Sequence, residues 1–197
     1  MTFIPRIANR LAARLVRASC APALLALLSA APAHAFEAWA TPGSSGIVDE
    51  SSTNLIAFSL GSAAFRSGQV GTITLRYPVT DVFPDAANPS PKWFGLGFID
   101  NGSEARVTAR LVQQSRSTGV ITYVSPSFDS DTLTASGSYQ FGWTNNCAMA
   151  LDFFENAYWV EVTLRRTSTA GNASVQQVRL DNYTCTGFAD TEGAHLR

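Results

Sequence analysis

Residues 157–165 read Ala157-Tyr158-Trp159-Val160-Glu161-Val162-Thr163-Leu164-Arg165. Tyr158, Val160, Val162 and Leu164 alternate there with Trp159, Glu161, Thr163 and Arg165. Side chains along a strand point to opposite faces in turn, so this run presents one dry face and one wet one. Two other stretches repeat the pattern. Ile73, Leu75, Tyr77 and Val79 alternate with Thr72, Thr74, Arg76 and Pro78, and Ala105, Val107, Ala109 and Leu111 with Arg106, Thr108 and Arg110. No later segment keeps a 3.6-residue apolar period over the length of an ordinary helix.

Further strands are expected at 54–60, 93–99, 120–124, 138–143, 147–153 and 175–180, from β-branched and aromatic content between turn residues. Asp100-Asn101-Gly102 reads as a turn, because Asn and Gly tolerate positive φ. Ser117-Thr118-Gly119 and Ala170-Gly171-Asn172 read as hairpin loops, and the prolines at 84, 89 and 91 mark a longer one. Short strands with one polar face each predict an all-β, antiparallel two-sheet β-sandwich or jelly roll.

The first 35 residues have a different character. Arg6, Arg10, Arg14 and Arg17 precede an apolar stretch at 21–31, and Ala33-His34-Ala35 follows, with no acidic residue before Glu37. This is the pattern of a secretory signal peptide at 1–35, cleaved before Phe36. The arginine spacing also suits a mitochondrial presequence, but the apolar block and the cleavage pattern favour export. The apolar block is too short to span a bilayer. A β-sandwich domain is then expected at 36–185 and a flexible tail at 186–197, where Phe188 and Leu196 are the large apolar residues.

Removing the leader leaves 162 of the 197 residues, enough for one domain with a full core. The remainder keeps all 15 acidic residues and loses 4 of the 14 basic ones, for a net charge of about −5. Lys92 is its one lysine, and apart from Arg165-Arg166 its arginines are dispersed, so no nucleic-acid surface is expected. No membrane span is expected in it either. Cys147 and Cys185 remain as an even pair in an exported chain, which points to a disulfide. An immunoglobulin reading of these cysteines, with Trp159 between them and Tyr183 before the second, fails on their short spacing and on the lack of a following strand.

Catalytic patterns are sparse. The mature region has one histidine, His195 in the expected tail, and no Gly-x-Ser-x-Gly, which argues against a serine hydrolase. The glycines of Trp93-Phe94-Gly95-Leu96-Gly97-Phe98 precede no helix, so they indicate close sheet packing and not a phosphate loop. Paired carboxylates for glycoside hydrolysis would come from Asp129, Asp131, Asp152, Glu155 and Glu161. Asp129 and Asp131, alone or with the 100–104 turn, are also candidate oxygen ligands for Ca²⁺; no other cofactor is implied. Trp159 and Glu161, joined by Trp143 and Trp93, are candidate ligand-binding residues, because a ring beside hydrogen-bonding groups stacks on a sugar or anchors a protein partner.

The strings Gly46-Ile47-Val48-Asp49-Glu50, Phe128-Asp129-Ser130-Asp131 and the run from Asn156 to Leu164 resemble small secreted bacterial β-rich proteins of unknown function. The resemblance implies an exported bacterial β domain and brings no activity or site. The sequence reading is therefore a secreted or periplasmic non-catalytic module, binding a carbohydrate or protein or serving a structural role. The alternative is a carbohydrate-active enzyme using paired carboxylates. The leader assignment predicts that protein recovered from periplasm or medium begins at Phe36. Intact mass checks this, and a start well away from Phe36 would contradict it.

Overall fold

The computed structural model describes residues 38–83, 91, 93–124, 127–147 and 149–182, all within the compact unit Phe36–Arg197. The expected signal peptide, Tyr183, Cys185 and the expected tail lie outside the described residues. Among the described residues twelve strands form two six-stranded antiparallel sheets, in keeping with the alternation.

The first sheet contains β1 (Ala38–Pro42), β3 (Ile56–Ser59), β4 (Ser62–Phe65), β6 (Trp93–Asp100), β10 (Ser136–Asn145) and β12 (Ala173–Asp181). Its order is β10-β6-β12-β4-β3, with β1 also paired to β12. The second contains β2 (Ile47–Val48), β5 (Gly71–Val79), β7 (Ala105–Ser115), β8 (Ile121–Tyr123), β9 (Phe128–Asp129) and β11 (Asn156–Arg166). Its order is β2-β5-β11-β7-β8, with β9 also paired to β7.

The inward rows are those the alternation marks. Ile73, Leu75, Val107, Leu111, Val160, Val162 and Leu164 of the second sheet are fully buried in one cluster with Leu96, Phe98, Val175, Val178 and Leu180 of the first. Phe98 and Phe128 meet edge to face across the sandwich at 5.3 Å. Tyr77 is buried and donates its hydroxyl proton to the Gly43 carbonyl at 2.7 Å, which satisfies its one polar group. Burial pushes its pKa upward, so it stays a donor. A Cβ on Gly43 would stand 2.1 Å from the Val175 carbonyl oxygen, so the 3-10 turn Gly43–Ser45 seats against β12 only with glycine there.

Two expectations need correction. Ala170-Gly171-Asn172 is no hairpin loop: β11 lies in the second sheet and β12 in the first, so the turn crosses between them. The turn at Asn101 and Gly102 crosses likewise from β6 to β7. Asn101 holds the two crossings together, donating to the Ala170 carbonyl at 2.8 Å and accepting from the Asn172 amide at 2.6 Å. Residues 147–153 form no strand where described, because their backbone bonds go to local turns, Met149 N–H to Asn146 and Asn156 N–H to Asp152. Met149 and Leu151 are buried nonetheless, so the segment plugs the core as a loop. Ser117-Thr118-Gly119 is a hairpin loop joining β7 and β8, with Gly119 at φ +70°.

A buried polar knot fastens the sheets near these crossings. Ser130 donates to Asp100 Oδ2 at 2.5 Å and accepts from the Val107 amide at 2.8 Å, while Asp100 Oδ1 accepts from the Gly102 amide at 2.9 Å. Removing the hydroxyl strands one buried donor and deprives one buried acceptor. Ser130→Ala should therefore lower the unfolding free energy by about 2 to 4 kcal/mol. Urea denaturation measures it, and a loss within about 0.5 kcal/mol, the size of an ordinary surface change, would contradict this role.

Candidate functional site

The four expected ligand-binding residues fall on opposite faces of the sandwich. Trp93 and Trp143 belong to the outward face of the first sheet, and Trp159 and Glu161 to the outward face of the second.

On the first sheet, Phe94, Leu96 and Phe98 of β6 point to the core, which turns Trp93, Gly95 and Gly97 outward. Across the strand pair, Gly95 faces Trp143 and Gly97 faces Phe141 of β10. Lacking side chains, the two glycines leave a trough that the neighbouring rings fill. A Cβ on Gly95 would lie 2.5 Å from the Trp143 ring and 2.8 Å from Phe141, and one on Gly97 would lie 2.7 Å from the Tyr139 hydroxyl. The rings therefore lie across the glycine floor and keep their outer surfaces open. Tyr139 is 48% exposed and Trp143 38%. Phe141 and Trp143 are 4.6 Å apart at 57°, and Trp93 meets Trp143 at 6.5 Å and 88°.

Hydrogen-bonding groups border the strip. The register of β12 places Gln177 beside Gly97, Arg179 beside Gly95 and Asp181 beside Trp93. Arg179 and Asp181 form a two-pronged pair, Nε to Oδ2 at 2.6 Å and Nη2 to Oδ1 at 2.8 Å. A register shift between Val175 and Gln177 brings both Gln176 and Gln177 to a groove of about 380 Å³, which Tyr139, Ala40, Thr41 and Pro42 complete. Burial raises the Tyr139 pKa, so its hydroxyl stays protonated. Tyr139 and Phe141 were missed in the sequence. Their signal was the alternation Tyr139-x-Phe141-x-Trp143 opposite Gly95-x-Gly97, which shows only once β10 and β6 are paired.

On the second sheet, Trp159 sits on the outward register with Glu161, Thr163 and Arg165, but it is only partly exposed. It lies between Pro78 and Val112 of the flanking strands, Val112 is buried, and the indole Nε1 is buried without a partner among the described residues. This ring is part of the sheet's packing more than an open anchor. Glu161, with a side chain 15% exposed, is held between Arg110 at 2.6 Å and Arg76 at 3.5 Å.

Four of the five candidate acids are engaged. Arg106 grips both oxygens of Asp129 and approaches Asp131 at 3.2 Å, so a guanidinium stands between the two carboxylates expected to ligate Ca²⁺. No group of three or more metal-binding side chains occurs among the described residues. Asp152 accepts from the amides of Phe154 and Glu155 and caps its own turn, and Glu155 is exposed. The hydrogen bond from Arg106 holds the Asp129 pKa below the usual carboxylate range, whereas a general acid needs it raised.

No family model and no curated protein matches this chain. Among solved structures it is similar to a family two carbohydrate esterase from Cellvibrio japonicus, at 12% identity and a TM-score of 0.39, over 76% of this chain and 35% of that one. It is also similar to a family 11 carbohydrate-binding module from Clostridium thermocellum in complex with a β-1,3-1,4-mixed-linked tetrasaccharide, at 12% identity and 0.37, over 76% and 89%. A family 29 carbohydrate-binding module gives 9% and 0.38, over 78% and 99%. At these TM-scores none bears on the function of the chain.

The Asp129 pair carries a pH signature. Its folded pKa is depressed, so the stability it contributes is fully present above the unfolded value of about 3.9 and is lost as pH falls through the lower folded value. With Arg106 partly solvated, Asp129→Asn should cost about 0.5 to 1 kcal/mol at neutral pH. Thermal melts should show that difference closing below about pH 4. A difference that stays constant down to strong acid would show that the ion pair does not stabilise the fold.

Proposed function

We propose that this chain is an exported, non-catalytic β-sandwich module that binds carbohydrate on the aromatic strip of its first sheet. The observation that carries the reading is the seating of Tyr139, Phe141 and Trp143 on the floor of Gly95 and Gly97. Three rings on alternate residues of one strand, half open to solvent and bordered by Gln176, Gln177 and Arg179, offer apolar faces beside directed hydrogen bonds. Sugar rings present that combination, C–H faces edged by hydroxyls, and aromatic side chains stack on them at low entropic cost.

Ring geometry narrows the ligand. Planes inclined at 57° and 88° cannot all lie against one flat surface, so the strip suits a single twisted glycan chain better than a crystalline face. The strip runs along β10, which aligns the chain with that strand and leads one end into the groove beside Tyr139. A non-catalytic role agrees with the partners of the acids: guanidinia hold Asp129 and Glu161, and backbone amides hold Asp152. Export rests on the leader at 1–35. The disulfide between Cys147 and Cys185 belongs to the same reading, with Cys185 outside the described residues. Thiol titration of the denatured, unreduced protein should return no free thiol.

Affinity electrophoresis through gels containing soluble glucans, galactans, mannans or xylans tests the proposal. At least one polysaccharide should retard the protein. Trp143→Ala should weaken that interaction by about 30-fold, the scale of a truncated aromatic hot spot. Phe154→Ala, at an exposed ring elsewhere, should leave it unchanged. Retardation equal in wild type and Trp143→Ala would remove the strip as the site, and no retardation by any of the four would overturn the carbohydrate reading.

A further inference from the structure

The outward face of the second sheet carries a concavity that its ion pairs do not explain. Thr74, Thr163 and Thr108 stand opposite one another on β5, β11 and β7, forming a low row of hydroxyls across three strands. The next row is tall: Arg76, Glu161 and Arg110 face one another and are joined by ion pairs. On the other side rises Arg106, which reaches across to Asp129, the neighbour of Thr108 on β9, and is locked to it by two parallel hydrogen bonds. Short side chains between two tall rows leave a slot of about 300 Å³, lined by Arg106, Thr108, Arg110, Asp129, Glu161 and Thr163 among others. That volume lies at the lower end of small-molecule sites.

We propose that this slot is a second binding site, for a single neutral sugar residue. Charge comes first. The lining holds two guanidinia and two carboxylates, so an anion would face Asp129 and Glu161, and a cation would compete with arginines already in place. The hydrogen-bonding inventory comes next. Guanidinium N–H groups only donate, ionised carboxylates only accept, and the threonine hydroxyls do both. Arg106 and Arg110 spend Nε and Nη2 on their carboxylates, leaving Nη1 of each without a partner among the described residues.

A ligand that uses fixed donors and fixed acceptors together must itself donate and accept at several positions, as a ring of hydroxyls does. At the rim, Tyr123 packs on the Arg110 guanidinium, 3.9 Å from the ring centre, and is 58% exposed, which offers a stacking face beside the polar floor. The site shares no residue with the aromatic strip and lies on the opposite face of the sandwich. It neither needs nor supports the proposal made for that strip.

Titration of ¹⁵N-labelled protein with D-glucose, D-galactose, D-mannose and N-acetylglucosamine, each separately, tests the inference by two-dimensional NMR. At least one should produce saturable shifts of the Thr108 and Thr163 amides and the Arg106 and Arg110 Nε signals, with a dissociation constant on the order of 1 mM. Thr163→Val keeps the branched shape and removes the hydroxyl, and should weaken binding about tenfold while other signals stay in place. Thr108→Val provides the same test if Thr163→Val perturbs the sheet. Trp143→Ala should leave this titration unchanged. Sodium glucuronate and inorganic phosphate serve as probes of charge. No saturable shift with any of the four sugars, equal shifts in both valine variants, or tighter binding of glucuronate than of glucose or of phosphate than of every neutral sugar would overturn the proposal.

Discussion

The contact between the inward rows of the two sheets governs everything else in this molecule. Val160, Val162 and Leu164 of the second sheet share one buried cluster with Leu96, Phe98, Val178 and Leu180 of the first. Because side chains alternate with period two, a strand committed to that contact has no freedom left over its other face. Burying Leu96 and Phe98 turns Gly95 and Gly97 outward, and burying Val160 and Val162 turns Trp159 and Glu161 outward. Both candidate surfaces are thus consequences of the core. A slip of one residue in β6 would place glycines inside, one in β11 would place Glu161 inside, and each would dissolve the surface of its own sheet.

The two outward faces solve the problem of an exposed sheet differently. The second sheet covers itself with cross-strand ion pairs, Arg76 and Arg110 on Glu161 and Arg106 on Asp129, which use the register of four adjacent strands. The first sheet covers its centre with rings laid over glycine. An aromatic residue on a glycine floor gains contact below and leaves one surface available above, whereas an arginine locked to a carboxylate keeps only its remaining N–H groups to offer. This is why the first face is read as a stacking platform and the second as a polar slot.

Much of the fold was legible in the sequence because alternation needs no tertiary knowledge. The registers of β5, β7 and β11 follow directly from 72–79, 105–111 and 157–165. Sheet membership was not legible: Asp100-Asn101-Gly102 and Ala170-Gly171-Asn172 look like local turns whether the next strand pairs in the same sheet or crosses to the other. Residues 147–153 mimic a strand in composition, yet Met149 and Leu151 reach the core from a loop whose amides bond locally. For the site, Trp93 and Trp143 were visible as aromatics near strand ends. Tyr139 and Phe141 were not, since their meaning depends on glycines about forty residues away that only strand pairing sets beneath them. Trp159 was read on the correct register, but the burial of Val112 beside it and of its own Nε1 could not be foreseen from one strand.

The central claim is that the glycine floor holds the rings in the posture that binds a glycan chain. The most direct test is Gly95→Ala, which adds one methyl group where the Trp143 ring now lies, 2.5 Å from the new carbon. Isothermal titration with the polysaccharide that retards the wild-type protein should show binding weakened at least about tenfold. Far-ultraviolet circular dichroism should show the sheets intact, and tryptophan fluorescence should report the displaced ring. Wild-type affinity in a folded Gly95→Ala protein whose fluorescence shows the ring displaced would contradict the account.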